Sequence, residues 1–295
     1  MNKNIGLASL VSRGASIAWR ERKIGLLLFS IQFVMAFFLV LPLHSKWSAL
    51  LGHSRMGDEV LNGFGANFFA EFTARRPDWM SEEASWTVLF AGAALVLNIF
   101  FNGGMIACFA GSKENGFPFF FEKSSRFFGR MLRLFLLSLP LLIAALIVQS
   151  LLGMALQPLA GGMESWRVFF VAVQFTVLAF LVFFVNMVLD YARIITVNKN
   201  RRDMFKTAIR AFRFVFRNLL KTFSLYYGIG AAGLALSLMF VWTGQRIDFP
   251  TGFGLLFLFL WLQVQALTRI AVRMEFYTSQ LVLYRFLSAQ SGKKR

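Results

Sequence analysis

Apolar positions in this chain run together instead of alternating with polar ones. Six runs stand out: Ile24–Leu43, Trp86–Ala110, Met131–Gly153, Val168–Leu189, Thr222–Thr243 and Phe253–Val272. About 20 apolar residues at 1.5 Å each cross the ~30 Å hydrocarbon core of a bilayer. The pattern predicts an all-α polytopic membrane protein: one integral domain over residues 1–295, with six transmembrane helices and short interfacial helices. The first run has 20 residues and no A-x-A site after it, so it reads as a span and not as a signal peptide, whose apolar region is ~7–15 residues.

The segments between the runs carry helical periodicity of another kind. In the elbow 198–221, Lys206, Arg210, Arg213, Arg217 and Lys221 recur at spacings of four, three, four and four. At ~100° per residue these cations share one stripe. Phe205, Ile209, Phe212, Phe216 and Leu219 share another. Such a helix suits a membrane surface, with rings in the acyl boundary and cations at lipid phosphates. Leu7, Leu10, Val11, Ile17 and Ala18 predict an interfacial helix before span one, and the loop 111–130, with Pro118 and Phe119-Phe120-Phe121, predicts another. Ser16–Arg20, Ser124–Phe128 and Arg213–Arg217 each place basic and aromatic residues before an odd-numbered span, which suggests three elbow-plus-hairpin units. Pro140 predicts a kink in span three.

The polar segment 44–85 holds Trp47, Leu50, Leu61 and Phe64 among other apolar residues, and reads as an outer cap with Ser81 as N-cap of span two. In the tail, Tyr277, Leu281, Tyr284 and Leu287 form an amphipathic stripe.

Charge gives the orientation. Of 31 Lys and Arg, 25 fall at the N-terminus, the two-to-three loop, the four-to-five loop and the C-terminus. The positive-inside rule then places both termini in the cytoplasm. Trp47, Trp86, Trp166 and Trp242 lie at the opposite ends of the spans, as an aromatic belt requires. Composition agrees: 57% of residues are hydrophobic, 15% are charged and mean hydropathy is +0.62. The net charge of +17 flanks apolar spans, so anionic lipid headgroups are the expected partner and nucleic acid is not. A lone Cys108 excludes a disulfide framework, and no Cys/His cluster suggests a metal or cofactor.

Asn102-Gly103-Gly104 closes span two, and Leu189-Asp190-Tyr191-Ala192-Arg193-Ile194 closes span four before the basic helix. With the basic loop 111–130, these motifs resemble bacterial six-span inner-membrane proteins, including the membrane domain attached to some glycerophosphodiester phosphodiesterases. The resemblance implies a membrane fold. It implies no phosphodiester chemistry, because His44 and His53 stand in the outer segment without the acidic cluster such chemistry needs.

Three constellations remain. Gly228-x-Gly230-x-x-Gly233 matches a dinucleotide fingerprint but lies inside an apolar run, without the strand and helix start that motif requires. It reads as a small face, Gly228, Ala231, Ala232 and Ala235, for close helix approach. Four amides sit near the bilayer midplane: Gln32, Asn98, Gln174 and Gln263. They suit a polar path or, more simply, interhelical hydrogen bonds. At the inner boundary, Asp190 with Arg193, Arg269 or Arg273 forms a candidate latch between spans four and six, or a gate or headgroup site. No nucleophile–base pair or paired catalytic carboxylates emerge. The sequence therefore points to a non-enzymatic membrane scaffold or accessory component with a possible protein partner. A transporter or channel for a lipid or small solute is the alternative, and a membrane enzyme is the third reading.

Overall fold

The computed structural model describes residues 6–51, 77–111, 116–156, 158, 164–246 and 252–292. Among these the chain is all-helical: α1 (Leu7–Arg20), α2 (Arg22–Leu51), α3 (Pro77–Ala110), α4 (Phe117–Leu156), α5 (Glu164–Asn198), α6 (Met204–Arg217), α7 (Leu219–Gly244) and α8 (Gly252–Gly292). Six of them, α2 to α5, α7 and α8, are long and apolar enough to cross a membrane. Most of the proposed outer cap, with His53, lies outside the described residues.

The described residues fall into two compact units. One is Leu26–Asn98, which comprises most of α2 and the first part of α3. It presents Phe33, Phe37, Phe38, Val88 and Leu89 at its surface, apolar side chains that water would penalise and lipid would not. The other unit holds α1, the start of α2, the end of α3 and all of α4 to α8. Its core is concentrated at one end, the end where the cations cluster. There Met105, Cys108 and Phe109 of α3, Phe120, Met131 and Leu134 of α4, Met187, Tyr191 and Ile194 of α5, and Leu281 and Leu283 of α8 are fully buried. Away from that end α5 and α8 expose Phe169, Phe175, Leu256 and Phe257. The most apolar stretch of α5 has no buried residue at all. A bundle stabilised by water exclusion would bury this stretch; one solvated by lipid need not.

Helix lengths correct several sequence expectations. At 1.5 Å per residue, the 40 residues of α4 and 41 of α8 span about 60 Å, roughly twice the hydrocarbon thickness. The expected elbow before span three is therefore not a separate helix. Phe120, Ser124, Phe127, Met131, Leu134 and Ser138 form one buried stripe through the expected break, and α4 stays helical through Pro140. The elbows before spans one and five are separate helices, α1 and α6, which end at Glu21 and Asn218. At the second break the Asn218 side-chain amide donates to the Phe214 carbonyl at 3.0 Å, a local bond that competes with continuation of the helix.

The tail is likewise part of α8, and its apolar stripe is core: Tyr277, Leu281, Tyr284 and Leu287 are buried, and α1 packs along α8. That packing depends on Gly14, whose missing side chain leaves room for Ser279 and Glu275. Ser81 is not an N-cap, because α3 already begins at Pro77.

The small face of α7 also differs from the expected one. Gly228 has open space around it, and Ala231, Ala232 and Ala235 are exposed. Gly230 and Gly233 instead meet Phe276 and Val272 of α8, because Gly230, Gly233 and Ser237 lie on the opposite side of the same helix.

Candidate functional site

The basic end is joined by polar side chains that three of the spans bring together. On α3, a Cβ at Gly103 would stand 2.6 Å from the Phe127 Cβ, and one at Gly104 would overlap Ser124. The two glycines thus let α4 approach on one side and leave Asn102, buried, to face α8 on the other. The Asn102 Oδ1 accepts a 2.7 Å bond from Arg273 and a 3.3 Å bond from the Tyr277 hydroxyl. On α5, Arg193 donates to Asp190 at 2.6 Å and to the Tyr277 hydroxyl at 3.4 Å. Asp190 is 9% exposed, so its charge is largely removed from water and depends on these partners. Arg273 also lies within its electrostatic reach. Tyr277 is the shared member: it joins the Asn102 side of the network to the Asp190 side.

Aromatic packing continues the same junction. The Tyr191 ring lies 5.2 Å from Phe214 of α6, which lies 5.2 Å from Tyr284 of α8. Helix ends are tied in as well. Arg285 donates to the Ala110 carbonyl at 2.7 Å and to Asn198 at 3.2 Å, and Arg20 donates to the Gly111 carbonyl at 3.0 Å. Cations here satisfy carbonyls that the end of α3 leaves without helical partners. Asn200, at φ 48°, terminates α5 in the left-handed conformation, with the Arg201 N–H returning to the Thr196 carbonyl at 3.1 Å. Arg130 of α4 holds this turn through Asn200 Oδ1 at 2.7 Å and the Arg201 carbonyl at 3.1 Å.

The turn leads into α6, which has three faces. Met204, Thr207, Ala211 and Val215 are buried; this small docking face against α4 and α5 was not foreseen from the sequence, where the two louder stripes obscured it. Phe205, Ile209, Phe212 and Phe216 remain exposed, with Phe212 and Phe216 4.5 Å apart. Lys206, Arg210, Arg213 and Arg217 are exposed on another side, whereas Lys221, the fifth cation of the expected stripe, is exposed on α7, beyond the break at Asn218. Around the turn, Lys199, Arg201, Arg202, Lys206 and Arg210 line a cavity of about 320 Å³. The Lys206–Asp203 ion pair there, at 3.8 Å, is solvent-exposed and adds little.

The remaining candidates scatter. Gln32 and Asn98 are on exposed positions of the other unit, Gln174 packs over Gly153 of α4, and Gln263 is half-buried. Arg269 does not take part in the Asp190 network. One turn before Arg273 on α8, it lines a groove between α7 and α8, together with Gln265. The sequence reading did not single out Asn102 or Tyr277 as members of a site. Asn102 stands inside an apolar run, and only its pairing with Arg273 across helices reveals its role. Among the described residues no group of three or more His, Cys, Asp or Glu is placed to hold a metal ion. Comparison with known proteins finds no protein family, no curated protein and no solved structure that matches the chain.

Proposed function

We propose that this integral membrane protein is a scaffold or accessory component of an envelope or membrane-transport process, not an enzyme. One observation carries the reading. At the basic end the buried charged and polar side chains engage one another across α3, α5 and α8, while the same helices leave their apolar lengths exposed. A network used internally fixes the geometry of the helices that carry it. A rigid hub with apolar arms in lipid can hold partners in the membrane. In this reading the basic end faces the cytoplasm of a bacterial inner membrane, following the charge count, and α6 rests on anionic headgroups. The resemblance to six-span inner-membrane proteins supports the same placement.

The test is a photo-crosslinking residue at Phe175, which is exposed on α5, installed in the full-length protein in cells. A discrete adduct with one other membrane protein is the expected result. Lipid adducts alone, with solute or lipid flux produced by the purified chain in liposomes, would replace this reading with a transporter. The groove between α7 and α8 is the observation that favours that second reading.

A further inference from the structure

The α7–α8 pair is closed at both ends and open in the middle. Toward the basic end, Tyr226 and Phe276 meet at 5.1 Å between ring centres, and Val272 packs on Gly233. At the far end the Trp261 indole donates to the Phe240 carbonyl at 3.1 Å, with the two rings 4.9 Å apart. Between these closures lies a half-open cavity of about 210 Å³. Gly230 and Gly233 form part of its wall on α7, and Gln265, Thr268 and Arg269 face it from α8.

Two of these side chains, the buried Gln265 and the exposed Arg269, are not engaged by another described side chain. Gln265 is 8% exposed and makes no hydrogen bond to another described residue. Arg269 makes no ion pair or hydrogen bond among the described residues. Thr268 and Ser237, by contrast, bond carbonyls of their own helices at 2.8 and 2.9 Å. A guanidinium with five donors and an amide with two thus border one small space. Arg269 is one helical turn, about 6 Å, farther into span six than Arg273. At that depth a cation is costly unless it reaches an anion at the membrane boundary, and the abundant anion there is a lipid phosphate. The cavity takes a phosphate and its glycerol link but not the acyl chains. Leu234, which lines the groove and is exposed, starts an apolar surface for those chains that Leu238 of α7 and Leu262 of α8, also exposed, extend along their helices.

We propose that the groove between α7 and α8 is a binding site for one anionic phospholipid, with its phosphate held by Arg269 and Gln265 and its acyl chains lying along the exposed leucines. The site is separate from the basic stripe of α6 and stands whether the protein is a scaffold or a transporter.

The test uses the full chain in mild detergent, with native mass spectrometry during titration by phosphatidylglycerol, phosphatidylcholine or inorganic phosphate. One phosphatidylglycerol per chain, bound in preference to phosphatidylcholine and not displaced by millimolar phosphate, is the expected result. Arg269→Gln removes the charge-assisted bonds and lowers affinity about tenfold or more. Gln265→Glu keeps the side-chain volume and places a carboxylate beside Arg269, so it also abolishes the preference. Gly230→Leu fills the cavity and does the same by sterics. Arg217→Gln on α6 leaves the single site intact, and melting curves confirm that each variant is folded. Unchanged binding in folded Arg269→Gln and Gln265→Glu overturns the proposal. So does full displacement by inorganic phosphate, which would indicate a free-anion site, or loss of the preference in Arg217→Gln alone, which would move the lipid to α6.

Discussion

Asp190→Asn tests the hub most directly. The carboxylate is 12% exposed at the side chain and Arg193 17%, so neither has water as a ready substitute. Removing one member of a buried pair costs about 3–5 kcal/mol, mostly because the other charge is stranded. Asparagine keeps an oxygen that can accept one neutral hydrogen bond, worth about 1 kcal/mol, and Arg193 retains its 3.4 Å contact with Tyr277. The net cost is therefore about 2–4 kcal/mol. At roughly 2–4 °C per kcal/mol for a chain of this size, the apparent melting temperature falls by about 4–16 °C. Circular dichroism melts in detergent measure it, at a fixed scan rate because such unfolding is seldom reversible. Arg193→Gln causes a similar loss, and the double variant loses much less than the sum, since the two side chains share one interaction. Arg269→Gln, which lies outside this network, adds independently to Asp190→Asn. A shift below 1 °C, or strict additivity between Asp190→Asn and Arg193→Gln, would refute the latch.

The glycines give a paired prediction: Gly104→Ala, whose Cβ would overlap Ser124, costs about 1–3 kcal/mol. Gly129→Ala, with open space around it in the middle of α4, raises stability by roughly 0.5–1 kcal/mol in the same melts. In whole cells, an impermeant thiol reagent labels a cysteine at Gln245 and spares one at Lys199; the reverse labelling would invert the orientation. Phe212→Trp on the exposed aromatic stripe of α6 is quenched by brominated lipids in liposomes, and quenching by aqueous iodide instead would place that stripe in water. Replacing Lys206, Arg210, Arg213 and Arg217 together by Gln weakens that lipid quenching in anionic vesicles, and more so at low salt than at high salt.

The membrane class, the six runs and the position of the basic helix follow from the sequence, because each depends on composition over ~20 residues or on periodicity within one helix. Solvation by lipid acts on every residue of a run, so no tertiary detail is needed to detect it. Helix boundaries are different. Nothing local says that Phe117 to Leu156 is one helix, while Arg217 and Leu219 belong to two; a buried stripe continuing onto neighbouring helices settles the first, and the Asn218 side chain settles the second. The choice of faces on α7 is also tertiary. Both sides of that helix carry small residues, and only the position of Val272 and Phe276 selects Gly230 and Gly233 over Gly228 and Ala231.

The polar sites divide in the same way. Asp190 with Arg193 is legible because a spacing of three fits one helical turn. The partition of the two α8 arginines, Arg273 to Asn102 and Arg269 to the α7 groove, is not. Four residues apart, they look equivalent along α8, but a turn of about 6 Å moves one from a buried junction to a lipid-facing groove. Which partner each meets depends on contacts between helices more than 150 residues apart in the chain for Asn102 and Arg273, and that separation is what the sequence alone does not encode in any local pattern.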